Sequence, residues 1–213
     1  SYAGDLNGDG APDLSLPHEL GNDLRVFIND GFGDFGELEI HTMAPGSKPS
    51  ANAGADFNGD GLLDLVTANI EGDTISVFIG DGVGGFLDPV DYPVGEAPRG
   101  VAVLDTEGDG DLDLVIANRD SSDLCQLRNL GDGTFGPAGF FQGGGDNETS
   151  IFAADADGDG MLDLFVTSYG SGTVAVLRGT ITGGFQLVDT QSVGVLPWNG
   201  TVGDTDGDGD PDI

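Results

Sequence analysis

The 213-residue chain carries 38 Asp and Glu against 6 Lys and Arg, a formal charge of -32 at neutral pH, with 39 glycines and 38% apolar residues. That excess of carboxylates works against nucleic acid and against insertion into or binding to an anionic membrane, since both surfaces are held by clustered Lys and Arg. The apolar share is that of a packed chain and not of a disordered acidic tail, and no apolar run is long enough to span a bilayer or to serve as a signal peptide.

From the first residues onward an acidic decapeptide alternates with strand-like segments. DLNGDGAPDL starts at Asp5, DFNGDGLLDL at Asp56, DTEGDGDLDL at Asp105, DADGDGMLDL at Asp155 and DTDGDGDPDI at Asp204, with spacings of 51, 49, 50 and 49. So regular a period signifies one supersecondary unit per repeat, with units at about 1–51, 52–100, 101–150 and 151–199 and a partial one at 200–213. After each loop comes an apolar stretch (DLVTAN, DLVIAN, DLFVTS) and a short polar turn. An alternating stretch follows (DLRVFIN, TISVFIG, DLCQLRN, TVAVLRG), then a Gly-rich turn ending in Phe. A fourth stretch such as VDYPVG and a fifth such as GVAVLD lead into the next loop. Period-two alternation rich in Val, Ile and Phe, without a helical period, predicts an all-β unit of four short strands. That is the composition of a propeller blade, with a solenoid or a sandwich as the structural rival. The clipped first strand and the stop at Asp212-Ile213 suggest four blades and the start of a fifth, cut from a longer array. The single cysteine, Cys125, reads as a small strand side chain.

In the third loop Asp105, Glu107, Asp109, Asp111 and Asp113 place five carboxyl groups in nine residues. Two carboxylates about 4 Å apart repel by roughly 4 kcal/mol at an effective dielectric near 20, so a compact loop of this kind calls for a cation. Oxygens at positions 1, 3, 5 and 9, a Gly hinge at 6 and the carbonyl of residue 7 can converge on one ion, and flexible all-oxygen ligation favours Ca2+. The expected ligands are therefore Asp5, Asn7, Asp9, Ala11 and Asp13; Asp56, Asn58, Asp60, Leu62 and Asp64; and the five acids of the third loop. Asp155, Asp157, Asp159, Met161 and Asp163 complete the fourth set, and Asp204, Asp206, Asp208, Asp210 and Asp212 the fifth. An EF-hand shares the opening but needs a bidentate Glu at position 12, where these loops have an apolar or small residue. Loops of this class bind calcium at about 10⁻⁴ to 10⁻³ M in extracellular modules, which together with the acidic surface predicts a secreted or cell-surface setting.

These features resemble the FG-GAP or VCBS repeats of integrin α-subunit propellers, bacterial surface proteins and fungal propeller lectins. The resemblance spans nearly the whole chain. It implies a seven-bladed propeller with one calcium in each loop between first and second strands, and a role in adhesion, carbohydrate binding or assembly.

Alternating strand directions put the acidic loops and the Gly-Phe turns on one face, and the remaining connections on the other. Six residues before each loop Asp on that second face stand Ser50, Arg99, Thr149 and Trp198, and the nearby turns add His18, Arg119 and Tyr169. Four different chemistries at one repeat position suit a ligand site, and Arg and aromatic side chains suit a glycan or a protein partner. Arg99, Trp198, Arg119, Tyr169 and His18 are the expected ligand residues, whereas Arg25, Arg128 and Arg178 on the third strands are expected to cover blade faces with their stems. With two His, one Cys and no catalytic motif outside the loops, the chain is expected not to be an enzyme. A structural subunit of a larger assembly is the alternative, followed by a calcium-dependent polysaccharide-active enzyme.

Overall fold

A computed structural model describes residues 1–205, 207 and 213, apart from the side chains of Glu37 and Leu38. The first sheet holds β1 (Tyr2–Gly4), β2 (Asp13–His18), β3 (Asp23–Asn29) and β4 (Phe35–Thr42). The second holds β5 (Pro49–Ala55), β6 (Asp64–Asn69), β7 (Thr74–Phe78) and β8 (Val90–Pro93). The third contains β9 (Pro98–Leu104), β10 (Asp113–Asn118), β11 (Asp123–Leu127) and β12 (Gly139–Phe141), and the fourth β13 (Glu148–Ala154), β14 (Asp163–Ser168), β15 (Thr173–Gly179) and β16 (Phe185–Ser192). In each sheet the four strands pair in chain order as an antiparallel meander. The described residues contain no helix. This is the all-β blade architecture of a propeller.

Period-two alternation explains how the sheets stack. In β10, Leu114 and Ile116 pack with Val66, Ile75 and Val77 of the second sheet, whereas Val115 and Ala117 pack with Leu164 and Val166 of the fourth. A middle sheet thus buries both faces, and its second strand reads as an unbroken apolar run because every residue is covered. Phe86, Phe135 and Phe185, which end three of the Gly-rich turns, help to fill these seams, whereas Phe35 is exposed; Phe135 meets Phe57 and Tyr92 edge-on at centroid distances of 5.5 and 5.7 Å. Cys125 lies fully buried in the same seam, and burial pushes its thiol up to about 11.

First strands of successive sheets sit side by side, and the acidic loop closes where the first strand meets the second. Gly4 pairs with Asp13, Leu104 with Asp113 and Ala154 with Asp163. The first four loops are therefore pinned at their ninth positions by the sheet ladder.

Candidate metal loops and ligand face

The loops share one hydrogen-bond scheme. In the second, Asp56 Oδ1 accepts the Gly59 and Asp60 amides at 2.8 and 3.2 Å and its Oδ2 accepts the Gly61 amide at 2.8 Å. Asp105 accepts the same three amides in its own loop, whereas Asp5 accepts those of Asp9 and Gly10 and Asp155 those of Gly158 and Gly160. The chain must turn back sharply for this, which requires left-handed backbone at two glycines per loop, such as Gly108 (φ 74) and Gly110 (φ 96). The sixth-position Gly was expected; the fourth was legible too, since it stands in every copy. Position 7 contributes its amide: Ala11 donates to Asp9, Leu62 to Asp60, Asp111 to Asp109 and Met161 to Asp159, at 2.8 to 3.0 Å. The Ala11 amide and Asn7 hold the Asp9 carboxyl below its ordinary range.

Position 9 has a framework role that sequence reading missed. Asp13, Asp64, Asp113 and Asp163 are at most 1% exposed. Asp64 Oδ2 accepts the Phe57 amide and Oδ1 the Gly80 amide, each at 2.8 Å, tying the loop to the end of the third strand. The same pair of bonds recurs at Asp13, with Leu6 and Asn29, and at Asp163, with Ala156 and Gly179. Burial pushes the Asp64 carboxyl up while the two amides pull it back. The constant interval of 16 residues between this Asp and its third-strand partner was the signal available in the sequence.

The third-strand arginines do more than cover blade faces, which corrects that expectation. Arg178 Nε lies 2.7 Å from Asp157, and Arg128 Nη1 lies 3.2 Å from Glu107, so each guanidinium neutralises the third-position acid of its own loop. Arg25 instead pairs with Asp23 at 2.9 Å. A cation is also what the donor set of the fourth loop invites: Asp155, Asp157 and Asp159 each bring one carboxylate oxygen to within 4.8 Å of the others. Asp204 accepts the Gly207 amide at 2.6 Å, whereas Asp206, Asp208, Asp210 and Asp212 lie outside the described residues.

On the opposite face, four of the five expected ligand residues gather. Arg99 lies with its guanidinium carbon 5.6 Å from the Trp198 ring centroid, and Tyr169 meets Trp198 edge-on at 5.4 Å. Arg99 and Arg119 line one cavity of about 660 Å³, along with Lys48. His18 is drawn away, its Nδ1 lying 3.2 Å from Asp23 on its own sheet. Arg99 and Thr149 occupy β-bulges, the residues skipped where β9 pairs with β10 and β13 with β14, and a bulge re-aims a side chain out of the pleat. The connections nearby carry Lys48, Ala97, Asn147 and Leu196 at φ 51 to 57, a left-handed conformation uncommon for residues other than Gly and repeated at one site per unit. Burial, followed by the neighbouring Arg119, lowers the pKa of Arg99.

Glu148 stands at the start of β13, where the other repeats have Pro49, Pro98 and Pro197. It is fully buried, and neither carboxyl oxygen has a hydrogen-bond partner of good geometry among the described residues. Burial raises its pKa to about 7, with backbone amides of Glu148 and Gly145 opposing and Asp123 and Asp146 adding to the rise.

The family model for FG-GAP-like repeats matches this chain four times, over residues 5–67, 56–116, 105–166 and 155–213. A search of curated proteins by sequence finds no match. Among solved structures, a protein from Lactobacillus plantarum is 16% identical with a TM-score of 0.74, the match covering 93% of this chain and 56% of that one. The Pseudomonas aeruginosa periplasmic gluconolactonase PpgL is 18% identical with a TM-score of 0.67, over 90% of this chain and 53% of its own. An Agrocybe aegerita lectin, described as recognising non-reducing terminal N-acetylglucosamine, is 18% identical with a TM-score of 0.56, over 92% and 52%. The chain thus spans about half the length of these structures. The gluconolactonase corrects the expectation that the chain is not an enzyme: the same architecture carries catalysis. The physical reason is that a propeller gathers its functional side chains from several blades, so the lack of a contiguous catalytic motif excludes nothing.

Proposed function

Because this chain belongs to the FG-GAP-like repeat family, we propose that it is part of a calcium-stabilised extracellular propeller that recognises a glycan or a protein through the face opposite its acidic loops. The observation that carries this reading is the convergence of Arg99, Arg119, Tyr169 and Trp198, from three repeats and the segment after the fourth sheet, on that face. The exposed Trp198 ring and the half-buried Tyr169 ring beside guanidinium groups offer an apolar surface for a sugar ring or an anchor for a protein.

Calcium would be held by the loop oxygens at positions 1, 3 and 5 and, beneath them, the ninth-position Asp, whose carboxylate has lone pairs left after accepting two amides. The three converging carboxylates of the fourth loop support this assignment, and a hard divalent cation would supply charge neutralisation there. Four loops carrying so many acids, joined to every sheet by buried Asp residues, would then transmit the ion's stabilisation into the stacked sheets. The -32 charge and the weak affinity expected of such loops support an extracellular setting. In a ring of seven blades, as the resemblance implies, the four described sheets would be four of them.

The test is a glycan array probed with the chain in millimolar calcium beside an Arg99→Ala, Trp198→Ala double variant. Binding lost in the variant with its melting temperature retained is the expected result. Binding that survives the double substitution would place recognition elsewhere.

A further inference from the structure

We propose that the cavity between the first strands takes a sugar unit carrying a carboxylate, of the hexuronate class, with Arg99 receiving the carboxylate and Trp198 the sugar ring. This rests on the binding role assigned to the same face above, and it narrows that role to one chemistry.

The cavity has a volume of about 480 Å³ and is walled by β5, β9, β13 and the segment at Trp198 and Asn199, where the sheets converge. That volume falls within the range of roughly 300–1,000 Å³ usual for small-ligand pockets. In a chain with 38 acidic residues, no carboxylate lines it among the described residues, and Arg99 is the one charged side chain that does. The adjoining 660 Å³ cavity is the contrast. Its cations Lys48, Arg99 and Arg119 face Glu71, Glu19 and Asp120, each near enough to pair, and Asp73 and Glu96 add to the acidic excess. An anion has no place there.

Arg99 stands in the wall between the two. Among the described residues its one ion-pair contact, from Nη1 to Glu19, is long at 3.4 Å, and its buried Nε has no partner. A guanidinium has five N–H donors and binds a carboxylate best through two of them in parallel. Most of that capacity is unmet here. The β-bulge at Arg99 turns the side chain toward the cavity side of its strand.

Neutral polar groups supply the remainder. Asn52 is oriented by Nδ2 bonds to the Ser15 carbonyl and hydroxyl at 3.2 and 2.6 Å, which leaves its buried Oδ1 without a donor. Across the cavity Ser150 donates to Asn199 at 2.7 Å. Trp198 keeps 53% of its surface exposed while Arg99 and Tyr169 fix its ring. One guanidinium, amide and hydroxyl groups and one held aromatic face match a carboxylate, several hydroxyls and the C–H face of a pyranose.

Trp198 is the only tryptophan, so fluorescence excited selectively in the tryptophan band reports on this cavity. The chain would be titrated with glucuronate, with glucose and with acetate, and with a disaccharide ending in glucuronate to separate a free sugar acid from a glycan terminus. Glucuronate, free or terminal, is expected to shift the emission saturably with a Kd about tenfold or more below that of glucose and of acetate, the usual advantage of a charge-assisted forked pair. Arg99→Gln should bring glucuronate and glucose to within a factor of about two, and Arg99→Lys, which keeps the charge without the fork, should fall between. Melting temperatures establish that each variant is folded. Equal affinity for glucose and glucuronate, or a preference that survives Arg99→Gln, overturns the carboxylate assignment while leaving a sugar-binding face in place. No response to any of these probes overturns this inference, and a blank glycan array in addition would remove the binding role itself.

Discussion

Glu148 is the residue whose environment is most at odds with its chemistry. Three of four repeats place Pro where it stands, and its carboxyl is enclosed without a compensating donor of good geometry. Burial favours the protonated acid, raising its pKa from 4.5 to about 7. Between those values the folded chain holds a proton that the unfolded chain has released, so stability is full below the unfolded value and falls as pH rises through this window. The loss is on the order of 3 kcal/mol from this group. Asp23 and Asp120 act with the opposite sign, because Arg25 and Arg119 hold their carboxyls below the ordinary range, and their contribution is lost at a more acidic pH. Melts taken at about pH 5 and about pH 8 should show a smaller drop for Glu148→Gln than for the parent chain. Equal drops would mean that Glu148 is ionised throughout. The sequence showed only that Glu replaces Pro at this position; nothing in the residue pattern revealed that its carboxyl is buried. The contact between Arg99 and Trp198 was more legible, because the two share one variable position of the repeat, whereas the capture of His18 by Asp23 depended on a contact across a hairpin.

At the scale of the element, the joint between acidic loop and sheet is set by the ninth-position Asp. Removing the Asp64 carboxylate leaves two buried amides, of Phe57 and Gly80, without acceptors. Each stranded donor costs about 1–3 kcal/mol, so Asp64→Ala should destabilise by roughly 2–5 kcal/mol even in the presence of a chelator. Asp60, which is exposed and bonded within its own loop, should matter chiefly when calcium is bound. Chemical denaturation of both variants with and without calcium separates the two roles; an Asp64→Ala variant affected only in calcium would refute the framework role. Strand number and order were legible because alternation and Gly-Phe turns recur in every unit. The framework role of Asp64 was not, since a single Asp read along the chain looks the same whether or not it accepts buried amides. The pairing of Arg128 with Glu107 and of Arg178 with Asp157 escaped notice for a similar reason: strand three passes beside the loop only once the sheet has folded.

For the whole molecule, the balance is between a charge of -32 and a set of seams that bind each sheet to the next. Self-repulsion of that size opposes the compact state, and the repeated loops concentrate it on one face. If calcium fills the loops, each site adds RT ln(1 + [L]/Kd), about 2.7 kcal/mol when free calcium is a hundred times Kd. Stacked units that contact only their neighbours would pass this on from sheet to sheet. The fold class, the family and the repeat period could all be read from the sequence, because each rests on features repeated four or five times. Whether the face opposite the loops binds or also catalyses could not, because that is decided by single residues brought together from different repeats.

The most direct measurement is a calorimetric melt of the unmodified chain in millimolar calcium and again after chelation. A calcium-stabilised propeller should lose several degrees or more on chelation, given that each kcal/mol is worth about 2–4 °C in a domain of this size, and should recover when calcium is restored. An unchanged melting temperature would mean that amides and arginines alone hold the acidic loops closed, and would contradict the assignment of calcium to them.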